Sequence, residues 1–165
     1  MKTSQVTKLG MFLSIALVLS YLESLLPVMI AIPGMKIGLA NIVTMLLLYN
    51  TNFRSTFLFM MLRVVLAGFL FSGVSTIIYG FVGGLFCIGI MSLLKHLSFF
   101  SILGVSMAGA VFHNIGQIIV AMFVMENVHI LYYLPILCVT AVVSGLLIGY
   151  ITFLLLKHYK MNFKD

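Results

Sequence analysis

Six apolar stretches, separated by short polar or Pro- and Gly-containing links, fill almost the whole chain of 165 residues. A helix needs roughly 20 apolar residues to cross the hydrocarbon core of a bilayer, so the chain has room for at most about seven crossings. Hydrophobic residues make up 63% of the sequence and charged residues only 7%, which is far less charge than a soluble domain exposes. The sequence therefore predicts an all-α integral membrane protein, built as a single transmembrane domain over residues 1–165.

The limits of the six segments follow from the prolines, glycines and polar residues between them. The predicted segments run approximately over residues 8–26, 39–49, 55–71, 75–94, 102–125 and 131–156. The second segment has only about eleven apolar positions, which is too few for a crossing by itself. It completes a crossing only if the preceding loop, which contains Pro33 and Gly34, also lies at membrane depth.

The basic residues predict how the chain is oriented in the membrane. With a cytoplasmic N-terminus and six transmembrane helices, only Lys36 lies outside, and seven basic residues lie inside: Lys2, Lys8, Arg54, Lys95, Lys157, Lys160 and Lys164. Both termini are then cytoplasmic, as expected for a multi-pass protein of a bacterial cell (cytoplasmic) membrane. The basic residues are spread singly along the chain rather than gathered in a stripe, so we expect no nucleic-acid partner.

A few polar or ionisable side chains lie inside the apolar segments or in the first outer loop, and such groups usually face a bundle interior or a cavity. His113 and Gln117 are four residues apart, a spacing that puts both on one side of a helix. Arg63 keeps its charge and presents a fork that suits carboxylate or phosphate. Its partner is therefore either Glu23, in a buried ion pair, or an anionic ligand. The candidate ligand-binding residues are Lys36, Asn41, Arg63, His113, Asn114 and Gln117.

Each of these candidates also has an interpretation that involves no ligand. A buried pair between Arg63 and Glu23 would fix the register of two helices. The three polar residues of the fifth segment would serve as hydrogen bonds between helices, which are common in membrane bundles. Lys36 would extend its ammonium group to the lipid headgroups.

The sequence lacks the residue patterns of several enzyme classes. It has no Gly-rich phosphate loop ending in Lys-Ser/Thr, and its one aspartate is Asp165, so no Asp-rich pair can hold magnesium against a diphosphate. Cys87 and Cys138 fall inside apolar segments, where cysteine commonly packs as a small apolar side chain. We therefore predict a protein that is not an enzyme and that carries no metal site and no cofactor.

Four stretches of the chain together resemble one membrane family. They are residues 33–43 (PGMKIGLANIV), the pair Leu62-Arg63, the pair Gly83-Gly84 and residues 109–117 (GAVFHNIGQ). The family is heptaprenyl diphosphate synthase component I, also called the Gx transporter family, which is similar to the substrate-binding S components of energy-coupling-factor (ECF) transporters. The resemblance covers essentially the whole chain. Phe86 and Cys87 depart from it, because smaller polar residues are expected after the Gly pair.

The resemblance implies a six-helix, ECF S-component-like bundle that binds a small, vitamin- or precursor-like molecule under the first outer loop. Such a subunit depends on a separate membrane coupling subunit and on ATPases for energy. The family label also implies a second role, as a non-catalytic membrane subunit that associates with a soluble prenyl diphosphate synthase subunit. A membrane component of a flavin- or quinone-linked electron-transfer system is a further alternative.

Overall fold

The computed structural model describes residues 3–25, 38–97 and 99–158, and these residues are almost entirely helical, with no β-strand among them. The prediction of an all-α chain is confirmed, and each predicted segment corresponds to one main helix. The main helices are α1 (Thr3–Leu25), α2 (Asn41–Asn50), α3 (Phe53–Ala67), α4 (Ser75–His96), α5 (Ile102–Val124) and α6 (Leu134–His158). A π-helical turn, Gly68–Ser72, extends α3, and a 3-10 helix, Val128–Tyr133, precedes α6.

Five helical stretches are long and apolar enough to cross a membrane. They are Gln5–Leu25, Phe53–Ser72, Ser75–His96, Ile102–Val124 and Val128–His158. The sixth helix, α2, has 10 residues, about half of what a crossing needs. The described chain is therefore a helical bundle of the multi-pass membrane type, with one short helix among long ones.

Helices α3 to α6 follow one another as antiparallel neighbours. Positions late in one helix contact positions early in the next helix. Along each pair, the residue numbers rise in one helix as they fall in the other. The pairs that show this order are Met60 with Gly84 and Val64 with Gly80, then Cys87 with Gly109 and Gly83 with Gly116, and finally Ser106 with Gly149 and Ala110 with Gly145. Short connections between the helices favour this up-and-down arrangement.

Glycines let the backbones of α4, α5 and α6 approach closely. A Cβ atom built on Gly116 would lie 2.8 Å from the Cα atom of Gly83, and one built on Gly145 would lie 2.8 Å from the Cα atom of Met107. Small residues at helix interfaces are typical of membrane bundles, where close backbone packing drives association. Gly83, Gly116 and Gly145 are thus used for packing inside the bundle.

The short helix α2 lies in the middle of the bundle, with every residue from Ile42 to Leu48 buried. Its start is near the middle of α6, since a Cβ atom on Gly38 would lie 3.4 Å from the Cδ1 atom of Ile148. Its end lies beside the end of α4, where the Nζ atom of Lys95 donates a hydrogen bond to the carbonyl of Leu48. Helix α2 therefore occupies one half of the bundle depth only.

The up-and-down order brings the basic residues of four helices to one end of the bundle, which we call the basic end. Lys8 lies near the start of α1, Arg54 near the start of α3, Lys95 near the end of α4 and Lys157 near the end of α6. This clustering matches the distribution expected from the sequence. Lys2, Lys160 and Lys164 lie outside the described residues.

Candidate functional site

A carboxylate from α1 meets the backbone that leads into α2. One oxygen, Oε1, of Glu23 accepts a hydrogen bond from the backbone N–H of Gly38. Gly38 lies three residues before α2, and the N–H groups of Asn41 and Ile42 at the start of α2 already donate to the carbonyls of Gly38 and Leu39. Because Gly38 lies close to Ile148, near the middle of α6, this hydrogen bond ties the end of α1 to the interior of the bundle.

Gly38 cannot be replaced by another residue without strain. Its φ angle is +80°, in the region that side-chain-bearing residues rarely adopt. A Cβ atom would also lie 2.9 Å from the Nδ2 atom of Asn41. Gly38 thus shapes the segment that leads into α2, and the half-buried amide of Asn41 lies against it.

Arg63 is the one buried charged residue among those the structure describes, with 8% of its surface exposed. It lies within Coulombic range of Glu23 and of the Cys87 thiol. With the other described residues Arg63 makes no hydrogen bond and no ion pair within 4.0 Å. Among the described residues, the charge of Arg63 is therefore balanced only at a distance by Glu23, whose carboxylate is bonded to Gly38.

The three polar residues of α5 do not face one neighbour. His113 and Gln117 lie against α4, since a Cβ atom on Gly83 would lie 3.0 Å from the Cε1 atom of His113 and 3.0 Å from the Cγ atom of Gln117. Asn114 points to α6 instead, and its Nδ2 atom donates a 2.9 Å hydrogen bond to the carbonyl of Leu137. For Asn114 the structure favours the alternative in which the side chain joins two helices.

One side of α4 connects the two groups of polar residues. Gly83 and Cys87 are four residues apart and share this side of the helix. His113 and Gln117 pack at Gly83, while Arg63 lies within Coulombic range of Cys87. Of these two α4 residues, one helical turn apart, Gly83 thus contacts His113 and Gln117 and Cys87 interacts electrostatically with Arg63. The departure from the family pattern at Cys87 falls at the point that joins the two groups.

Lys36, the remaining candidate, lies outside the described residues, as do Pro33 and Gly34. Its role stays a prediction. Whether any of the six candidates binds a ligand is likewise still a prediction.

A cavity of about 290 Å³ lies at the basic end, at the opposite end of α2 from Glu23, and sequence reasoning did not anticipate it. Lys95 borders the cavity. Its Nζ atom lies 5.3 Å from the centroid of the Tyr49 ring and donates a hydrogen bond at the C-terminal end of α2, where the helix dipole favours a cation. In the sequence, the feature that points to this cavity is Lys95, a basic residue at the end of an apolar segment. The lining residues are Leu48, Thr51, Asn52, Phe53, Ser92, Lys95 and His96.

Metal-binding groups do not assemble in the described part of the chain. No set of three or more His, Cys, Asp or Glu side chains in residues 3–25, 38–97 and 99–158 could hold a metal ion. Cys87 is buried and Cys138 half-buried, and both are free thiols.

Comparison with known proteins gives one result. The family model described as heptaprenyl diphosphate synthase component I matches residues 12–155, which include all of α2 to α5 and most of α1 and α6. No significant match to a curated protein or to a solved structure was found. The chain therefore belongs to the heptaprenyl diphosphate synthase component I family.

Proposed function

We propose that this protein is a membrane substrate-binding subunit, similar to an S component, for the uptake of a small anionic vitamin- or precursor-like molecule. The observation that carries the proposal is Arg63, a buried cation with no direct partner among the described residues. The subunit itself performs no catalysis. Separate coupling and ATPase subunits supply the energy, because the chain has no phosphate-binding loop of its own.

The cost of burying Arg63 supports a ligand with negative charge. Insertion of an arginine at the centre of a membrane helix costs about 2.5–3.5 kcal/mol on translocon scales. Side chains that are this costly usually pair with another charge or mark the path of a substrate or an ion. Glu23 compensates Arg63 only in part, since its carboxylate is directed to the N–H of Gly38. An anion beside the guanidinium group would supply the missing compensation.

The start of α2 adds a second element that suits an anion. Transporters commonly bind anionic groups of their substrates at the N-termini of interrupted helices near the bilayer midplane. Helix α2 has that form, being 10 residues long and starting near the middle of α6. Asn41, His113 and Gln117 would then hydrogen-bond the uncharged parts of the ligand, and Lys36 would add a second positive charge.

In this proposal the basic end faces the cytoplasm, in keeping with the preference of Lys and Arg for that side. With six crossings in total, both termini are cytoplasmic. The protein is then a six-span component of a bacterial cell membrane.

The family name favours a second candidate function. The protein would be a non-catalytic membrane subunit bound to a soluble prenyl diphosphate synthase subunit. In that case Arg63 would fix the register of α3 against α1 through the field of Glu23 and would touch no ligand.

Purification in mild detergent from the native host separates the two functions. After cross-linking in the intact membrane, the uptake function predicts a membrane coupling subunit and ATPases as partners. The alternative predicts a soluble protein with two Asp-rich motifs instead, and recovery of that partner without ATPases would refute the uptake function.

A further inference from the structure

The cavity at the basic end lies between the end of α2, the start of α3 and the end of α4, and the proposed uptake function does not use it. We infer that this cavity binds a phosphate group at the membrane surface, carried by a lipid headgroup or by a small phosphorylated molecule. Three observations carry the inference: the size and position of the cavity, the cation that is held at its edge, and the charge of its surroundings.

The cavity lies at the depth where two membrane-spanning helices end. The span Phe53–Ser72 begins and the span Ser75–His96 ends beside it, since Phe53 and His96 both line the cavity. The polar headgroup layer starts where such spans leave the hydrocarbon core, so lipid phosphates lie at this level. The volume of about 290 Å³ is far above the roughly 10–15 Å³ that one water molecule needs, so the cavity has room for a phosphate group.

Lys95 places a cation at the edge of the cavity and is itself held in position. Its Nζ atom donates a hydrogen bond to the carbonyl of Leu48 and also lies over the ring of Tyr49. A lysine ammonium group has three N–H donors, and among the described residues it has this one hydrogen-bond acceptor. Two donors therefore remain for phosphate oxygens, and little side-chain freedom is lost when they are used.

Neutral polar groups complete the lining of the cavity. The side chains of Asn52 and Ser92 line it and make no hydrogen bond with the other described residues, so an amide and a hydroxyl are available as donors. Asn52 also precedes α3 without capping it through its side chain. The dipole of α3 then adds to the attraction that Lys95 exerts on an anion.

The surroundings of the cavity are positively charged. Lys95 borders it, and the exposed Arg54 lies beside it at the start of α3. The two carboxylates of the described residues belong to the opposite end of the bundle, because Glu23 lies near the end of α1 and Glu126 follows α5. Within the described part of the chain, Lys95 thus has no ion-pair partner, and an incoming phosphate group meets no carboxylate that competes with it.

The experiment measures phosphate binding in mild, non-ionic detergent with two probes. Sodium phosphate is tested against sodium chloride at equal ionic strength, and the rise in unfolding temperature reports binding. Phosphatidylglycerol is tested against phosphatidylcholine, and native mass spectrometry reports the first bound lipid. Lys95→Gln should weaken binding about tenfold or more, because it removes a charge-assisted hydrogen bond. The matched control, Lys157→Gln, removes an exposed lysine at the same end but outside the cavity and should leave the affinity unchanged.

A second variant is needed because Lys95 also bonds α2, so that Lys95→Gln could fold poorly. Ser92→Leu fills the cavity, keeps every charge and adds an apolar residue to a membrane helix, and it should weaken phosphate binding as well. A response to phosphatidylglycerol alone identifies a lipid headgroup as the ligand, and a response to sodium phosphate identifies a small phosphorylated molecule.

Three results would overturn the site. They are a wild type that responds to neither probe, a Lys95→Gln protein that binds as well as Lys157→Gln does, and a Ser92→Leu protein that binds as well as the wild type does. None of them bears on the uptake function, which depends on Arg63 and is tested by the natural ligand that the protein retains.

Discussion

The close contact of α4 with α5 gives a prediction whose size follows from the structure. In Gly116→Ala the new methyl group would lie 2.8 Å from the Cα atom and 3.1 Å from the backbone nitrogen of Gly83, and 3.0 Å from the carbonyl oxygen of Val82. Optimal carbon–carbon contacts are about 3.5–4.0 Å, so the helices must separate locally by roughly 0.7–1.2 Å. All three atoms belong to the backbone of α4, and therefore no side-chain rotation can relieve the overlap.

The separation weakens the packing that holds the two helices together. A radial gap of about 0.5–1 Å already loses a quarter to a half of each dispersion contact across the interface. Overpacking of this kind costs about 1–3 kcal/mol. The same substitution also raises helix propensity by about 1 kcal/mol, so a control must carry that gain without the overlap.

Gly89→Ala is that control. Gly89 lies in the neighbouring helix, α4, and nothing lies within 4 Å of a Cβ atom built on it. We expect Gly116→Ala to be less stable than Gly89→Ala by about 1–3 kcal/mol. The measurement is the free energy of unfolding in mixed micelles, titrated with sodium dodecyl sulfate. Equal stability of the two variants would refute the proposed packing of α4 on α5.

Two further substitutions test the start of α2 and the α5–α6 contact. Gly38→Ala should lower the free energy of unfolding by about 1–3 kcal/mol, because alanine must adopt a φ angle of +80° there. The same titration with sodium dodecyl sulfate measures the loss. The control is Gly10→Ala, because a Cβ atom on Gly10 meets nothing within 4 Å. A Gly38→Ala protein as stable as Gly10→Ala would contradict the geometry at α2. Asn114→Ala removes the hydrogen bond to the carbonyl of Leu137 and should cost about 0.6–1.7 kcal/mol while leaving ligand retention in place. If Asn114→Ala instead abolished retention at full stability, Asn114 would belong to the binding site.

The sequence predicts the helices of this chain well because breaks in apolarity are local. Polar links at 50–54 and 95–101 end one apolar segment and begin the next, and the helices follow those limits within a few residues. The number of apolar residues in the second segment also predicts that α2 is too short to cross a membrane by itself. Length and apolarity therefore suffice for the number and type of elements.

The candidate site depends on contacts that the sequence does not encode locally. Glu23 and Gly38 are 15 residues apart in the sequence, and no periodicity indicates that one bonds the other. His113 and Asn114 look like one polar group in the sequence, but adjacent residues of a helix point about 100° apart, and the two face different neighbours. Which side of α5 faces α4 is decided by the glycines of both helices, and this choice appears only in the packed bundle.

The most direct test of the binding function is native mass spectrometry of the protein purified in mild detergent from its own host, with ligands retained. The three samples are the wild type, Arg63→Gln and Arg54→Gln, in which the last removes an exposed arginine at the basic end. We expect a bound small anion in the wild type and in Arg54→Gln, and none in Arg63→Gln. A wild type free of any small molecule, or a ligand that Arg63→Gln retains as well as the wild type does, would contradict the account.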